Sequence, residues 1–179
     1  MGALKLISTQ TADEDSHITF SGLDSTYDVH IVRAINHNPV GSDGANLSWD
    51  ASIDNGSNWG VAATTSYIYA RHSEDDIYTA FDKTGSLQDS TNPISWGWSL
   101  ETQTSNTSSG ELILFGFAST TYVKHFTSRL SAMQVGYAYD MLHAGFINDA
   151  DDNIDAIRIR IDSLANFDGT FSLYGVSKT

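Results

Sequence analysis

Ala45-Asn46-Leu47-Ser48-Trp49-Asp50-Ala51-Ser52-Ile53 is the stretch that decides the fold class. Leu47, Trp49, Ala51 and Ile53 take every second place, and Asn46, Ser48, Asp50 and Ser52 fill the places between. A period of two puts the two sets on opposite sides of an extended strand, one side for a core and one for water. Asp54-Asn55-Gly56-Ser57 follows directly. Asn and Gly tolerate the positive φ angles of a tight turn, so the stretch reads as a strand running into a hairpin turn.

Working outward, the same alternation recurs along the chain. Tyr27 to Asn36 carries Tyr27, Val29, Ile31, Arg33 and Ile35 on one side. Near the other end Ile157, Ile159 and Ile161 alternate with Arg158, Arg160 and Asp162. Further strands are expected at Ala3–Thr9, His17–Phe20, Gly60–Arg71, Ile94–Glu101, Glu111–Ala118, Tyr122–Leu130, Met133–Tyr139 and Gly169–Val176. Ser, Thr, Asn, Asp and Gly dominate the rest, and these favour turns over helix interiors. One short helix is expected at most, over Asp75–Thr84, where Ser73 offers a cap and Ile77 and Phe81 stand four apart. The polar run from Glu101 to Gly110 reads as a long exposed loop. The expectation is a single domain over residues 1–179: an all-β antiparallel sandwich, jelly-roll-like, of nine or ten strands.

Composition narrows the function classes. The chain has 179 residues, 40% of them apolar, which suits a packed core rather than a disordered segment. Nine basic residues against 22 acidic ones give −13. That balance speaks against nucleic acid and against anionic membranes as partners, because both recruit Lys and Arg. With no cysteine, thiol catalysis and thiolate metal sites are excluded. No apolar run approaches the length of a membrane span or a signal peptide, so a soluble chain without an address is expected.

A longer order of segments carries a resemblance. Leu4 to Ala12 precedes a short strand, and Leu23-Asp24-Ser25-Thr26-Tyr27-Asp28 leads into a long one. Gly110 to Phe115 is followed by Ser119 to Phe126. Ile157-Arg158-Ile159-Arg160 is followed by an Asn166-Phe167-Asp168-Gly169 turn and by Gly169-Thr170-Phe171-Ser172-Leu173-Tyr174-Gly175-Val176. This order resembles the small β-sandwich structural proteins of tailed bacteriophages, particularly those of marine bacteria, which close on a turn, a Gly and a strand ending in Leu-Tyr-Gly. The resemblance implies a non-enzymatic virion component on the particle exterior: head decoration, head fibre or tail fibre. It implies other virion proteins as partners and a homo-oligomer, often three-fold in such appendages. It brings no catalytic residues.

Each group of chemistry-bearing residues has a plainer structural reading beside the functional one. Asp149, Asp151, Asn153 and Asp155 place oxygen ligands at alternate positions, which suits Ca²⁺; no other cofactor is expected. Ile154 stands where a calcium loop needs Gly, and the plainer reading is a solvated acidic turn. Trp96 and Trp98 fall on one side of a strand with Gly97 between. Exposed, they make a platform for sugar rings; buried, they are core, and core is the favoured reading. Trp59, beside the Asn-Gly turn, is the better exposed aromatic. The six histidines lack metal-ligand spacing and read as ordinary surface or strand residues. No motif marks a hydrolase. The leading expectation is a virion structural subunit. The alternative is a receptor- or carbohydrate-binding module on a tail fibre, with Trp59, Trp96 and Trp98 meeting a host surface glycan.

Overall fold

A computed structural model describes residues 2–41, 43–75, 79–82, 86–134, 136–148, 151–162 and 165–177. Twelve strands follow one another: β1 Leu4–Asp15, β2 His17–Ser21, β3 Tyr27–Val40, β4 Ala45–Ser52, β5 Ala63–Ser73, β6 Thr79–Asp82, β7 Ile94–Leu100, β8 Ser108–Phe115, β9 Lys124–Gln134, β10 Tyr137–Ile147, β11 Ala156–Ile161 and β12 Asn166–Ser177. They form two antiparallel sheets. The long sheet has the order β1-β12-β3-β8-β9-β10-β5-β6, and the short one the order β2-β11-β4-β7. Among the described residues there is no helix. The helix expected over Asp75–Thr84 is replaced, where the chain is described, by β6 at Thr79–Asp82, paired with β5.

The strand order explains the architecture. β1-β12-β3-β8 faces β2-β11-β4-β7, and in chain order these eight strands change sheets at every step except from β4 to β7. That is an eight-stranded jelly roll of two interlocked Greek keys. Two insertions interrupt it. β5 and β6 enter between β4 and β7; β9 and β10 enter between β8 and β11. β9 continues the sheet from β8, and β10 pairs with β5 from Tyr137↔Ser73 to Ile147↔Ala63. Both insertions therefore widen the same sheet.

The core lies between the sheets. Trp49 of β4 meets Phe126 of β9 edge-on, with ring centres 4.9 Å apart. Leu112, Leu114, Leu130, Met141, Ile157 and Ile159 fill the space around them. At one end Phe167 and Phe171 of β12 pack on each other and on His37. At the other, Tyr69 stacks on Tyr139 at 5.2 Å and Tyr67 lies against His143 at 4.9 Å. Close packing also dictates composition. A Cβ on Gly97 would strike Leu130, and one on Gly145 would lie 2.5 Å from the Thr64 carbonyl oxygen.

Several local expectations change. Asn55 and Gly56 do adopt positive φ, 57° and 84°. They do not join a hairpin, because β4 pairs with β11 and β7 while β5 lies in the other sheet. Asn166–Gly169 is not a turn. It opens β12, and Gly169 sits in a register shift against β3 with φ of 143°. The turn between Leu130 and Met133 moves to Gly136, so β9 and β10 are each longer than their patterns suggested. The 101–107 segment is not wholly solvated. Asn38 donates its side-chain amide to the carbonyls of Glu101, Gln103 and Asn106, at 2.9 to 3.2 Å, and Asn106 is buried.

Three of the six histidines, His30, His37 and His143, are strand residues with buried rings. Burial disfavours the charged ring and lowers their pKa values, His37 to about 3 and His143 to about 4. For His143 a hydrogen bond with the Ser95 backbone opposes that shift. An unfolded chain protonates such rings near 6.5 while the folded chain does not, so folding loses stability as pH falls below that value. His37 and His143 are each expected to cost up to about 1.4 kcal/mol per pH unit in this window. Urea unfolding midpoints measured from pH 7 to 4.5 are expected to fall, and less steeply in H143Q. An unchanged slope in that variant would show that His143 is not buried neutral.

Candidate functional site

The three tryptophans singled out in the sequence do not converge. Trp96 is fully buried, whereas Trp98 is 39% exposed. Register shifts against β4, between Leu47 and Ser48 and between Ala45 and Leu47, break the alternation of β7 on either side of Gly97. Gly97 therefore faces the core and Trp98 turns out, resting against Tyr69 at 5.6 Å. No shared indole platform forms. Trp59 is half-buried and lies over the guanidinium of Arg158, 4.6 Å from it. Its turn is tied down locally: Asp54 accepts from the backbone and side-chain amides of Asn58, which holds its carboxyl below the usual range.

Beneath Trp59 the outer side of the short sheet holds a small ionic cluster. Asp50 of β4 is buried, and its Oδ2 accepts from Arg158 at 2.7 Å and Arg160 at 3.0 Å, both from β11. Alternation places these three on one side of the sheet while Trp49, Ile157 and Ile159 face the core. The cluster fixes β4 to β11, and the Trp59 turn shields it. Ser48 and Ser52 on the same side of β4 are buried as well.

The acidic run is split between elements. Asp149 lies outside the described residues. Asp151 is exposed, and Asn153 and Asp155 are half-buried. Asp155 is engaged across the chain, its Oδ1 accepting from the Asn55 backbone at 2.8 Å. Ile154 between them is fully buried and donates its N–H to the Phe117 carbonyl. Among the described residues no three His, Cys, Asp or Glu side chains lie together as a metal site.

What the molecule does gather is a surface. The outer side of the long sheet carries cross-strand rows read directly from the pairing. One row is Leu4, Val176, Val29, Phe115, His125 and Phe146. The next is Leu6, Tyr174, Ile31, Ile113, Thr127 and Ala144. A third is Ser172, Arg33, Glu111, Arg129, Leu142 and Ile68. The alternate residues, among them Val32, Leu112, Phe126 and Met141, face the core. An antiparallel sheet with one buried face ordinarily presents polar groups on the other. Here Leu6, Phe115, Leu142 and Phe146 stand out as exposed large apolar side chains on a common side. Shallow depressions run between them, one of about 430 Å³ lined by Phe115, His125, Ala144 and Phe146. The charges on this side are paired: Arg33 with Glu111 and Arg129 with Asp140, both at 2.7 Å.

Comparison with protein families and with curated proteins returns no match. The arrangement offers broad, shallow, apolar ground rather than a cleft with converging reactive groups. The sequence pattern already held this face: the Tyr27, Val29, Ile31, Arg33, Ile35 side of β3 was visible, but not that it points away from the core.

The ionic cluster gives a direct test. Asp50→Ala leaves two guanidinium groups facing each other without their carboxylate, and is expected to cost about 2 kcal/mol, less than a fully buried pair because both arginines reach solvent. Trp59→Ala is expected to cost about 1 kcal/mol through lost stacking. Denaturant unfolding measures both; a neutral Asp50→Ala would show that the cluster does not hold the sheet.

Proposed function

We propose that the chain is a non-enzymatic structural subunit on the exterior of a tailed-phage particle, either capsid decoration or part of a fibre. The observation that carries this reading is the outer side of the long sheet, an exposed apolar face suited to contact with protein. Contiguous apolar ground of this kind marks interaction surfaces more than reaction sites. The jelly roll supports it, being an architecture recurrent in viral capsid and lectin domains. The sequence resemblance to phage β-sandwich proteins supplies the setting.

A glycan-binding role on a fibre rests on a narrower observation. Of the three singled-out indoles Trp98 is the exposed one, and it adjoins Tyr69. Aromatic faces of this kind can stack on sugar rings.

Mass spectrometry of gradient-purified particles is expected to find the chain at a fixed copy number, with surface labelling on the outside. Particles that lack it would overturn the reading. A glycan array probed with the wild-type chain and with Trp98→Ala separates the two: signal lost in the variant would favour sugar binding.

A further inference from the structure

The contact face has a specific occupant. We propose that two copies of this chain pack the outer sides of their long sheets together, in a two-fold, face-to-face contact centred on β8 and β9. The proposal rests on reading that side as a contact face and goes beyond the particle role by naming what covers it.

Charge is the first argument. The whole chain carries −13, so two copies repel each other over most of their surface. Within the three rows and the Asp140 position beside them stand Arg33, Arg129, Glu111 and Asp140, two of each sign. The face is neutral on a strongly acidic molecule. A basic partner is drawn to the acidic turns instead, whereas a second acidic copy is best accepted here. The alternation is also self-complementary. Arg33, Glu111 and Arg129 stand side by side on β3, β8 and β9, so a two-fold axis between β8 and β9 sets Glu111 of one copy opposite Arg129 of the other.

Area is the second argument. From β1 to β5 the face spans seven strands. Each of the three rows crosses six of them, and at ~4.8 Å per strand and ~6.8 Å per row they cover roughly 600 Å² per copy, or about 1,200 Å² for the pair, the lower bound of a specific interface. Relief is the third. Phe146 and Leu142 stand beside Ala144, whose small side chain opens the depression floor, so ridges of one sheet have grooves to enter on the other.

The test uses the purified full chain and its mass in solution by light scattering. The wild type is expected at two chains at high micromolar concentration. L142E and F146E, both altering side chains exposed in the single copy, are expected at one chain with their sheet circular dichroism retained. Q103E, an equal charge change on an exposed loop, is expected to stay at two. Hydroxyl-radical labelling of the wild type needs no variant: Phe115, Leu142 and Phe146 are expected to lose reactivity several-fold between dilute and concentrated samples, while Tyr122 does not. A monomeric wild type, an odd number of copies, a mass indifferent to both face variants, or labelling independent of concentration overturns the proposal. None of these results bears on whether particles contain the chain, so the two readings fail separately.

Discussion

The pairing of β10 with β5 is the constraint on which the rest of the structure depends. Each strand contributes 11 residues, matched in register along their whole length. They come from different insertions in the jelly roll, separated in sequence by β6 to β9. Without this pairing, β9 and β10 would still extend the sheet from β8, but β5 with β6 would be a detached hairpin. With it, they extend one sheet to eight strands while its partner keeps four. Isolated hairpins are marginal in water, and a shared sheet with a buried face removes that weakness. The buried face here is the aromatic group of Tyr67, Tyr69, Tyr139 and His143, sealed by β7 and by the outward turn of Trp98.

The same asymmetry creates the exposed apolar side. A sheet of eight strands backed by four exposes a wide outer side, and this chain furnishes that side with apolar rows instead of the usual polar ones. Its acidic groups Glu111 and Asp140 are paired with arginines, and other acidic groups lie off it. They cluster at strand ends and turns, as at Asp13–Asp15, Asp54 and Asp151–Asp155, where several are tied to backbone amides. The short sheet solves its own outer side differently, covering a buried Asp50 with two arginines and a tryptophan. Thus one outer side is covered within the chain and the other stays exposed.

Much of this was legible as period-two alternation. β2, β4 and β11 match their expected bounds within a residue or two because each keeps a clear pattern, and β7 matches its bounds although bulges break its alternation. β3 was legible as a strand but not as to its inside. Its alternate set of His30, Val32 and Ala34 is no more apolar than Val29, Ile31 and Ile35, and only packing against β11 and β4's sheet decides between them. The Asn-Gly turn formed its expected backbone yet joined no hairpin, since turn chemistry is local while strand partners are chosen by the core. Trp96 and Trp98 parted because bulges reset the alternation, which no spacing rule reveals. The helix expected near Phe81 yielded to pairing with β5, where hydrogen bonding across strands outweighs a weak helical spacing.

Through-space proton contacts along the backbone, measured by nuclear magnetic resonance on the labelled chain, test the central claim most directly. The account expects cross-strand contacts between Leu142 and Ile68 and between Ala144 and Ser66, in register with those joining Leu142 to Arg129. Contacts placing β5 beside β4 across the Asn55-Gly56 turn, as in a simple hairpin, would contradict it.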